Sequence, residues 1–248
     1  MEMLPLYSRD YTVDVGLVDF RKNVKLSALF LYFQDIAVLH AEHLGLGMKD
    51  MLDKHNALWV LARMRVDTKR YPIWGEQITI ETWPNRPGRV ECIRNFTVKD
   101  VQGNVLVRAI SAWVVIDADT RRLQKADSIF PQELFFPAEK AIDTRLGGLR
   151  AGGELDLVHR RVVGYSDIDV NGHLNNAKYV DFVTDCFSVD EHKKHEIKSI
   201  EINYSSEAFA GDTIVLYKDL SEFDQGIVFV EGVNETDEKL IFKAKMVV

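Results

Sequence analysis

The second half of the chain repeats the first, and that constrains the fold more than any other feature. Trp74-Gly75-Glu76-Gln77-Ile78-Thr79-Ile80 lines up with Ala210-Gly211-Asp212-Thr213-Ile214-Val215-Leu216. Val105-Leu106-Val107-Arg108-Ala109 lines up with Leu240-Ile241-Phe242-Lys243-Ala244, and Val18-Asp19-Phe20-Arg21-Lys22-Asn23 with Ile168-Asp169-Val170-Asn171-Gly172-His173. The common order points to a tandem repeat of one supersecondary unit. At 248 residues the chain has room for two small domains of about that kind. With 46% hydrophobic and 28% charged residues, each unit has the composition of a folded domain.

The pattern predicts the contents of the unit. Ser27 to Glu42 is apolar almost all round, with Ser27 as N-cap and Gly45 and Gly47 as stop signals, so it reads as a helix wrapped by other structure. Trp59 to Val66, Gln77 to Trp83, Val90 to Lys99 and Val105 to Ile116 are rich in β-branched and aromatic residues and read as strands. The second half repeats this order: a helix at Asn176 to Phe187, then strands at Ser199 to Tyr204, Thr213 to Leu220, Gly226 to Asn234 and Lys239 to Val248. A long helix wrapped by an antiparallel sheet, twice over, is an α+β fold. The boundaries expected are a first unit at 1–125, an interdomain linker at 126–157, and a second unit at 158–248. The linker is rich in Pro and Gly and long for a bare loop, so part of it should lie against the first sheet or form a short helix.

Charge and cysteine content exclude several function classes. Lys and Arg number 31 against 38 Asp and Glu, a net charge of −7, where a nucleic-acid binder carries an excess of positive charge. Two cysteines, Cys92 and Cys186, make no disulfide framework and show no zinc-site spacing. Each falls within a predicted element, where a free Cys serves as a small buried hydrophobe. The histidine pairs at 40 and 43 and at 192 and 195 have no acidic or thiol partner at metal-site spacing. No glycine-rich phosphate loop and no nucleophile elbow is present. The longest apolar stretch, Ala28 to Ala41, is interrupted by Gln34 and Asp35 and falls short of the ~20 residues that span a bilayer. Met1 to Asp10 lacks a secretory apolar core, so the expected location is cytoplasmic, with no membrane insertion.

The densest polar cluster is Ser166-Asp167-Ile168-Asp169-Val170-Asn171-Gly172-His173-Leu174-Asn175-Asn176. Read as an extended segment, it places Asp169, Asn171 and His173 on one face, ~6.5–7 Å apart. A helix follows, N-capped by Asn175 or Asn176, whose unpaired first-turn N–H groups make an electropositive spot for an oxyanion. Such a cluster is also what turns and helix starts are made of. The repeat discriminates: the first unit has Asp19, Arg21 and Asn23 here, so His173 belongs to the second unit alone. Glu207, in an otherwise apolar stretch before Gly211-Asp212, either faces a pocket or meets solvent at a strand end.

These residues resemble a known family, the acyl-ACP thioesterases of plant plastids and bacteria, whose fold is a tandem pair of "hotdog" units. The resemblance covers nearly the whole chain. In the first unit it rests on Trp59-Val60-Leu61-Ala62-Arg63-Met64, Arg70-Tyr71-Pro72-Ile73-Trp74-Gly75, Ala112-Trp113-Val114-Val115 and Thr120-Arg121-Arg122-Leu123. In the second, Asp169 to Tyr179 is similar to the family's active-site motif. Carried over by position, the resemblance makes Asp169, Asn171, His173 and Glu207 catalytic. Ala208 stands where the plant enzymes often carry a cysteine once proposed as nucleophile, which removes a papain-like mechanism.

The implied activity is hydrolysis of fatty acyl-[acyl carrier protein] to free fatty acid and carrier, ending fatty acid synthesis, with no cofactor and no metal. An acyl-CoA thioesterase, and a hotdog hydratase or dehydratase acting on enoyl or hydroxyacyl thioesters, are the alternatives. The resemblance gives the first unit the acyl chain, with Trp59, Met64 and Met48 lining it, and the second the catalysis. The carrier protein is strongly acidic, so its docking face should be a basic patch: Arg63, Arg65, Lys69 and Arg70, or Arg121, Arg122 and Lys125. A tandem pair completes the usual hotdog dimer within one chain, so both a monomer and a homodimer are compatible with it.

Overall fold

A computed structural model describes residues 4–131 and 133–248, and the chain divides into two compact units, one ending at Leu146 and the other running from Gly147 to Val248. The first unit holds β1 (Tyr7–Thr12), α1 (Leu26–His43), α2 (Met48–His55), β2 (Ala57–Thr68), β3 (Gln77–Pro84), β4 (Glu91–Asp100) and β5 (Val105–Asp117). The second holds β6 (Asp156–Val162), α3 (Asn176–Thr184), α4 (Val189–Lys194), β7 (Ser199–Tyr204), β8 (Thr213–Asp219), β9 (Ile227–Asn234) and β10 (Leu240–Val247). Strand order is β1-β3-β4-β5-β2 in the first and β6-β8-β9-β10-β7 in the second, all pairs antiparallel. Each strand of one unit thus has its counterpart at the same place in the other.

The repeat reaches the level of single hydrogen bonds. Asp19 N–H donates to the Asn23 carbonyl at 2.8 Å and Asp169 N–H to the His173 carbonyl at 2.9 Å. Val24 N–H donates to the Pro72 carbonyl, and Leu174 N–H to the Ala208 carbonyl, both at 2.8 Å. Val13 and Gly75 exchange contacts as Val163 and Gly211 do: the glycine N–H reaches the valine carbonyl at 2.9 Å in each unit.

α1 and α3 each lay an apolar face on the sheet of their own unit. In the first unit Leu29, Phe33, Ile36 and Ala37 are buried, and the Phe33 ring meets Phe96 of β4 at 4.9 Å. In the second, Tyr179 of α3 meets Phe242 of β10 at 5.5 Å. Burial of this kind, at about 25 cal/mol per Å² of apolar surface, is what holds a helix against a sheet. Among the described residues no helix is long and apolar enough to cross a membrane.

Two local features depart from the sequence reading. Ser27 does not cap α1: the helix begins one residue earlier, Lys25 is the N-cap, and Ser27 is buried in the first turn. The strands β1 and β6 were not anticipated. They are edge strands exposed on most positions, so they show no alternation of apolar and polar residues. Part of the stretch 126–157 lies against the first sheet, as its length suggests. Ala126, Ile129 and Leu134 pack with Met51, Cys92 and Val115, and Ala141 and Leu146 with Trp83 and Ile110, so 126–146 lies against the first sheet. Trp83 Nε1 donates to the Glu139 carbonyl at 2.9 Å, and Ala141 N–H to Asn95 Oδ1 at 2.9 Å, which satisfies the polar groups buried there. Its last residues belong to β6 of the second unit, and Asp219 Oδ2 accepts from Gly152 and Gly153 N–H just before it.

Candidate active site

The motif that opens α3 is a tight turn rather than an extended segment. Gly172 N–H donates to the Asp169 carbonyl at 3.0 Å, and Asn171 N–H to Asp169 Oδ1 at 2.8 Å. Gly172 has φ +79°, in the left-handed region that glycine enters without steric cost. The chain therefore doubles back between Asp169 and His173, and these residues do not alternate along a strand. Asp169 is the turn-making residue, binding the backbone two positions on as Asx residues do. Asn171 is exposed at the tip.

The turn delivers His173 to Glu207. His173 Nδ1 lies 3.5 Å from Glu207 Oε1, with side chains 29% and 41% exposed, and the imidazole sits edge-on to Phe209 at 5.0 Å. Phe209 had no assigned role in the sequence; its position two residues after Glu207 is the only signal for it. Glu207 sits between two tied peptide groups. The Ala208 carbonyl accepts from Leu174 N–H, and the Ser206 carbonyl from the Tyr179 hydroxyl at 3.4 Å. Tyr179 is buried, and burial together with the Glu207 carboxylate pushes its phenol above the usual range.

The helix start is also resolved. Asn175 is the N-cap, its Oδ1 accepting from Ala177 N–H at 2.9 Å, and its carbonyl accepts from Lys178 N–H at 2.8 Å. Of the first three N–H groups of α3, those of Ala177 and Lys178 are the two that Asn175 takes. Asp167, beside the motif, is structural: it is buried, accepts from Gly164 N–H at 2.9 Å and lies 3.6 Å from Arg161.

A carboxylate–imidazole pair beside a helix N-terminus has the groups that can activate a water and meet an oxyanion. The models of the acyl-ACP thioesterase N-terminal and C-terminal domains match residues 5–131 and 154–246. The chain belongs to the acyl-ACP thioesterase family. It is 30% identical over 228 residues to oleoyl-acyl carrier protein thioesterase 1, chloroplastic, of Arabidopsis thaliana, covering 84% of this chain and 62% of that protein. The chain thus spans about three-fifths of the length of the curated relatives it matches. Among solved structures, an acyl-ACP thioesterase from Bacteroides thetaiotaomicron superposes with a TM-score of 0.87 at 24% identity, covering 98% of this chain and 97% of that one. The 12:0-ACP thioesterase from Umbellularia californica gives 0.80 at 23%, covering 98% and 96%. The fold is the tandem hotdog fold of this family.

In this family member the first unit keeps the turn and lacks the His–Glu pair. Asp19 Oδ1 accepts from Arg21 and Asn23 N–H, and Lys22 takes the left-handed φ of +66° that Gly172 takes in the second unit. Asn23 stands at the place of His173 and Tyr71 at that of Glu207.

The residues expected to line the acyl chain divide. Met64 is buried, Trp59 packs beside Phe130 with its indole N–H on the Leu46 carbonyl at 3.0 Å, and Met48 is half exposed at the start of α2. Three of the basic residues expected to dock a carrier are engaged by acids of their own unit. Arg63 pairs with Glu91 at 2.6 Å, Arg65 with Asp67 at 2.8 Å, and Arg70 forks onto Glu76. Lys69, Arg121, Arg122 and Lys125 are exposed. Both cysteines are free and buried, and burial pushes each thiol up to about 12, which leaves neither as a nucleophile. Among the described residues no group of three or more His, Cys, Asp or Glu side chains is placed to hold a metal ion.

Proposed function

We propose that this chain hydrolyses the thioester of a fatty acyl chain borne by acyl carrier protein, releasing the free acid and the carrier thiol. The observation that carries it is the His173–Glu207 pair, 3.5 Å apart, which the second unit places at the turn leading into α3 and the first unit replaces with Asn23 and Tyr71. Glu207, with His173 orienting it, takes a proton from water as the water oxygen attacks the thioester carbon. The carbonyl oxygen, gaining negative charge, is met by Asn176 N–H, with the Asn171 side chain as a second donor. The C–S bond then breaks, and the departing thiolate takes back the proton.

The two carboxylates have different tasks in this reading. Asp169 repeats what Asp19 does in a unit without His173 or Glu207, so its contribution is the turn. The base is therefore Glu207. The first unit, with its apolar interior around Met64 and Trp59, takes the acyl chain, and the exposed Lys69, Arg121 and Arg122 meet the acidic carrier. The boundaries that go with this division are an acyl-binding unit ending near 146 and a catalytic unit after it, a division that the packing of 126–146 supports. Two free cysteines suit the reducing cytoplasm, where the proposal places the enzyme.

The test is release of free fatty acid from acyl-ACPs of graded chain length and from the matching acyl-CoAs. Hydrolysis of acyl-ACP well above acyl-CoA is the expected result. Equal or faster acyl-CoA hydrolysis would move the substrate to the CoA thioesters, and water added across an enoyl chain without acid release would overturn the reaction itself.

A further inference from the structure

The Tyr179 hydroxyl meets the backbone beside the residue that the proposed mechanism uses as base. It donates to the Ser206 carbonyl at 3.4 Å, the peptide group that precedes Glu207. The ring is fixed edge-on between Tyr204 at 5.3 Å and Phe242 at 5.5 Å. Tyr204 in turn donates its hydroxyl to the Asn176 carbonyl at 3.1 Å, which ties the end of β7 to the first turn of α3. The Ala208 carbonyl is taken by Leu174 N–H at 2.8 Å. The segment bearing Glu207 is therefore fastened to the same helix start that offers the oxyanion donor.

The first unit supplies an internal comparison. Leu29 stands at the place of Tyr179, fully buried, and the backbone bond from Val24 to Pro72 reproduces that from Leu174 to Ala208. Packing of helix on sheet at this position thus needs an apolar side chain and no hydroxyl. A buried phenol carries a desolvation cost that a leucine does not. The hydroxyl occurs in the unit that also has Glu207 and His173, and it is absent where Tyr71 and Asn23 replace them.

We propose that Tyr179 is a positioning residue, whose hydroxyl holds the backbone before Glu207, as the Leu174–Ala208 bond holds it after, at a fixed distance from the N-terminus of α3. The inference rests on the reading of Glu207 as the base. It predicts that loss of the hydroxyl lowers the rate of the chemical step without weakening binding of the acyl chain, because nothing that touches the chain is changed. With its phenol held protonated by burial and by neighbouring carboxylates, the hydroxyl stays a donor throughout the neutral range.

The experiment compares the intact chain with Tyr179→Phe in two measurements. In steady-state hydrolysis of acyl-ACP, kcat should fall about tenfold while KM changes less than about twofold. In hydrogen–deuterium exchange, amides of 205–209 should exchange faster in the variant while those of β8 to β10 keep their protection. An unchanged kcat in an active enzyme, or unchanged exchange at 205–209, overturns the proposal. So does a loss of protection spread over the whole second unit, which would mean a merely structural role. If the wild-type chain hydrolyses no acyl thioester, the parent reading fails, and the exchange measurement alone decides whether Tyr179 fastens this segment.

Discussion

Two carboxylates lie near the α3 N-terminus, and their surroundings separate their tasks. Asp169 has one oxygen committed to the Asn171 N–H, and the same bond is made by Asp19 in the unit without His173 and Glu207. Glu207 faces an imidazole and is 41% exposed, so it reaches water as a base must. Glu207→Gln should therefore lower kcat on acyl-ACP by about 10²–10⁴ and leave the thermal midpoint unchanged. Asp169→Asn keeps an oxygen for the turn and should cost much less. Steady-state rates of the two variants, measured side by side, check the division: a larger loss in Asp169→Asn would reverse it. At this scale the sequence was informative because the site is local. Asp169, Asn171 and His173 sit within five positions, and the repeat showed which of them was unit-specific. Glu207 is 34 residues beyond His173 and is brought to it by tertiary pairing, here through the Leu174–Ala208 bond, which residue spacing does not encode.

Among the elements, four strands of each unit were legible and the first in chain order was not. β2 to β5 and β7 to β10 carry apolar faces, while β1 and β6 are edge strands whose sequences, YSRDYT and DLVHRRV, show no buried stripe. The helix ends followed the same logic. Asn175 caps α3 through its side chain, as Asx residues do, while α1 starts at Lys25 with no side-chain cap because its first turn is already packed. A feature with no sequence signature is the contact between β9 and β10. Gly232 lies opposite Phe242, and a Cβ on it would stand 2.2 Å from the ring. Phe242 in turn packs on Tyr179, so the bare backbone of β9 makes room for the ring that supports the α3 start. Gly232→Ala should destabilise the second unit by about 1–3 kcal/mol through overpacking. Urea unfolding would show it, and a midpoint equal to wild type would mean that the ring has another place to go.

At the scale of the whole molecule, one topology serves two purposes, and charge distinguishes them. Inside the first unit His40 is fully buried, with Nε2 2.9 Å from the Leu4 carbonyl and Nδ1 3.0 Å from Arg94 Nη1. Arginine can only donate, so Nδ1 accepts and the ring is neutral with its proton on Nε2. Burial and the Arg94 charge lower its pKa to about 4 from an ordinary 6.5. The unfolded chain binds this proton as pH falls through 6.5, whereas the native chain does so only near 4. The contribution is complete above the upper value and is lost across the window between them, by about 3 kcal/mol. Urea midpoints from about pH 7.5 to about pH 4.5 should fall more steeply for wild type than for His40→Gln, and equal slopes would refute the assignment.

Docking of the proposed carrier is the other whole-molecule question, since a chain of net charge −7 would have to attract an acidic partner locally. Arg63, Arg65 and Arg70 are compensated by Glu91, Asp67 and Glu76, so the attraction falls to exposed cations such as Lys69 and Arg122. Screening shortens from about 10 Å at 0.1 M salt to about 3 Å at 1 M, and exposed charges feel all of it. Raising salt across that range should increase KM for acyl-ACP several-fold and leave KM for an uncharged N-acetylcysteamine thioester of the same acyl chain unchanged. Arg122→Glu should raise KM for the carrier-borne substrate at low salt and converge with wild type at high salt. Parallel KM changes for both substrates would place the salt effect on the acyl site and remove electrostatic docking from the reading.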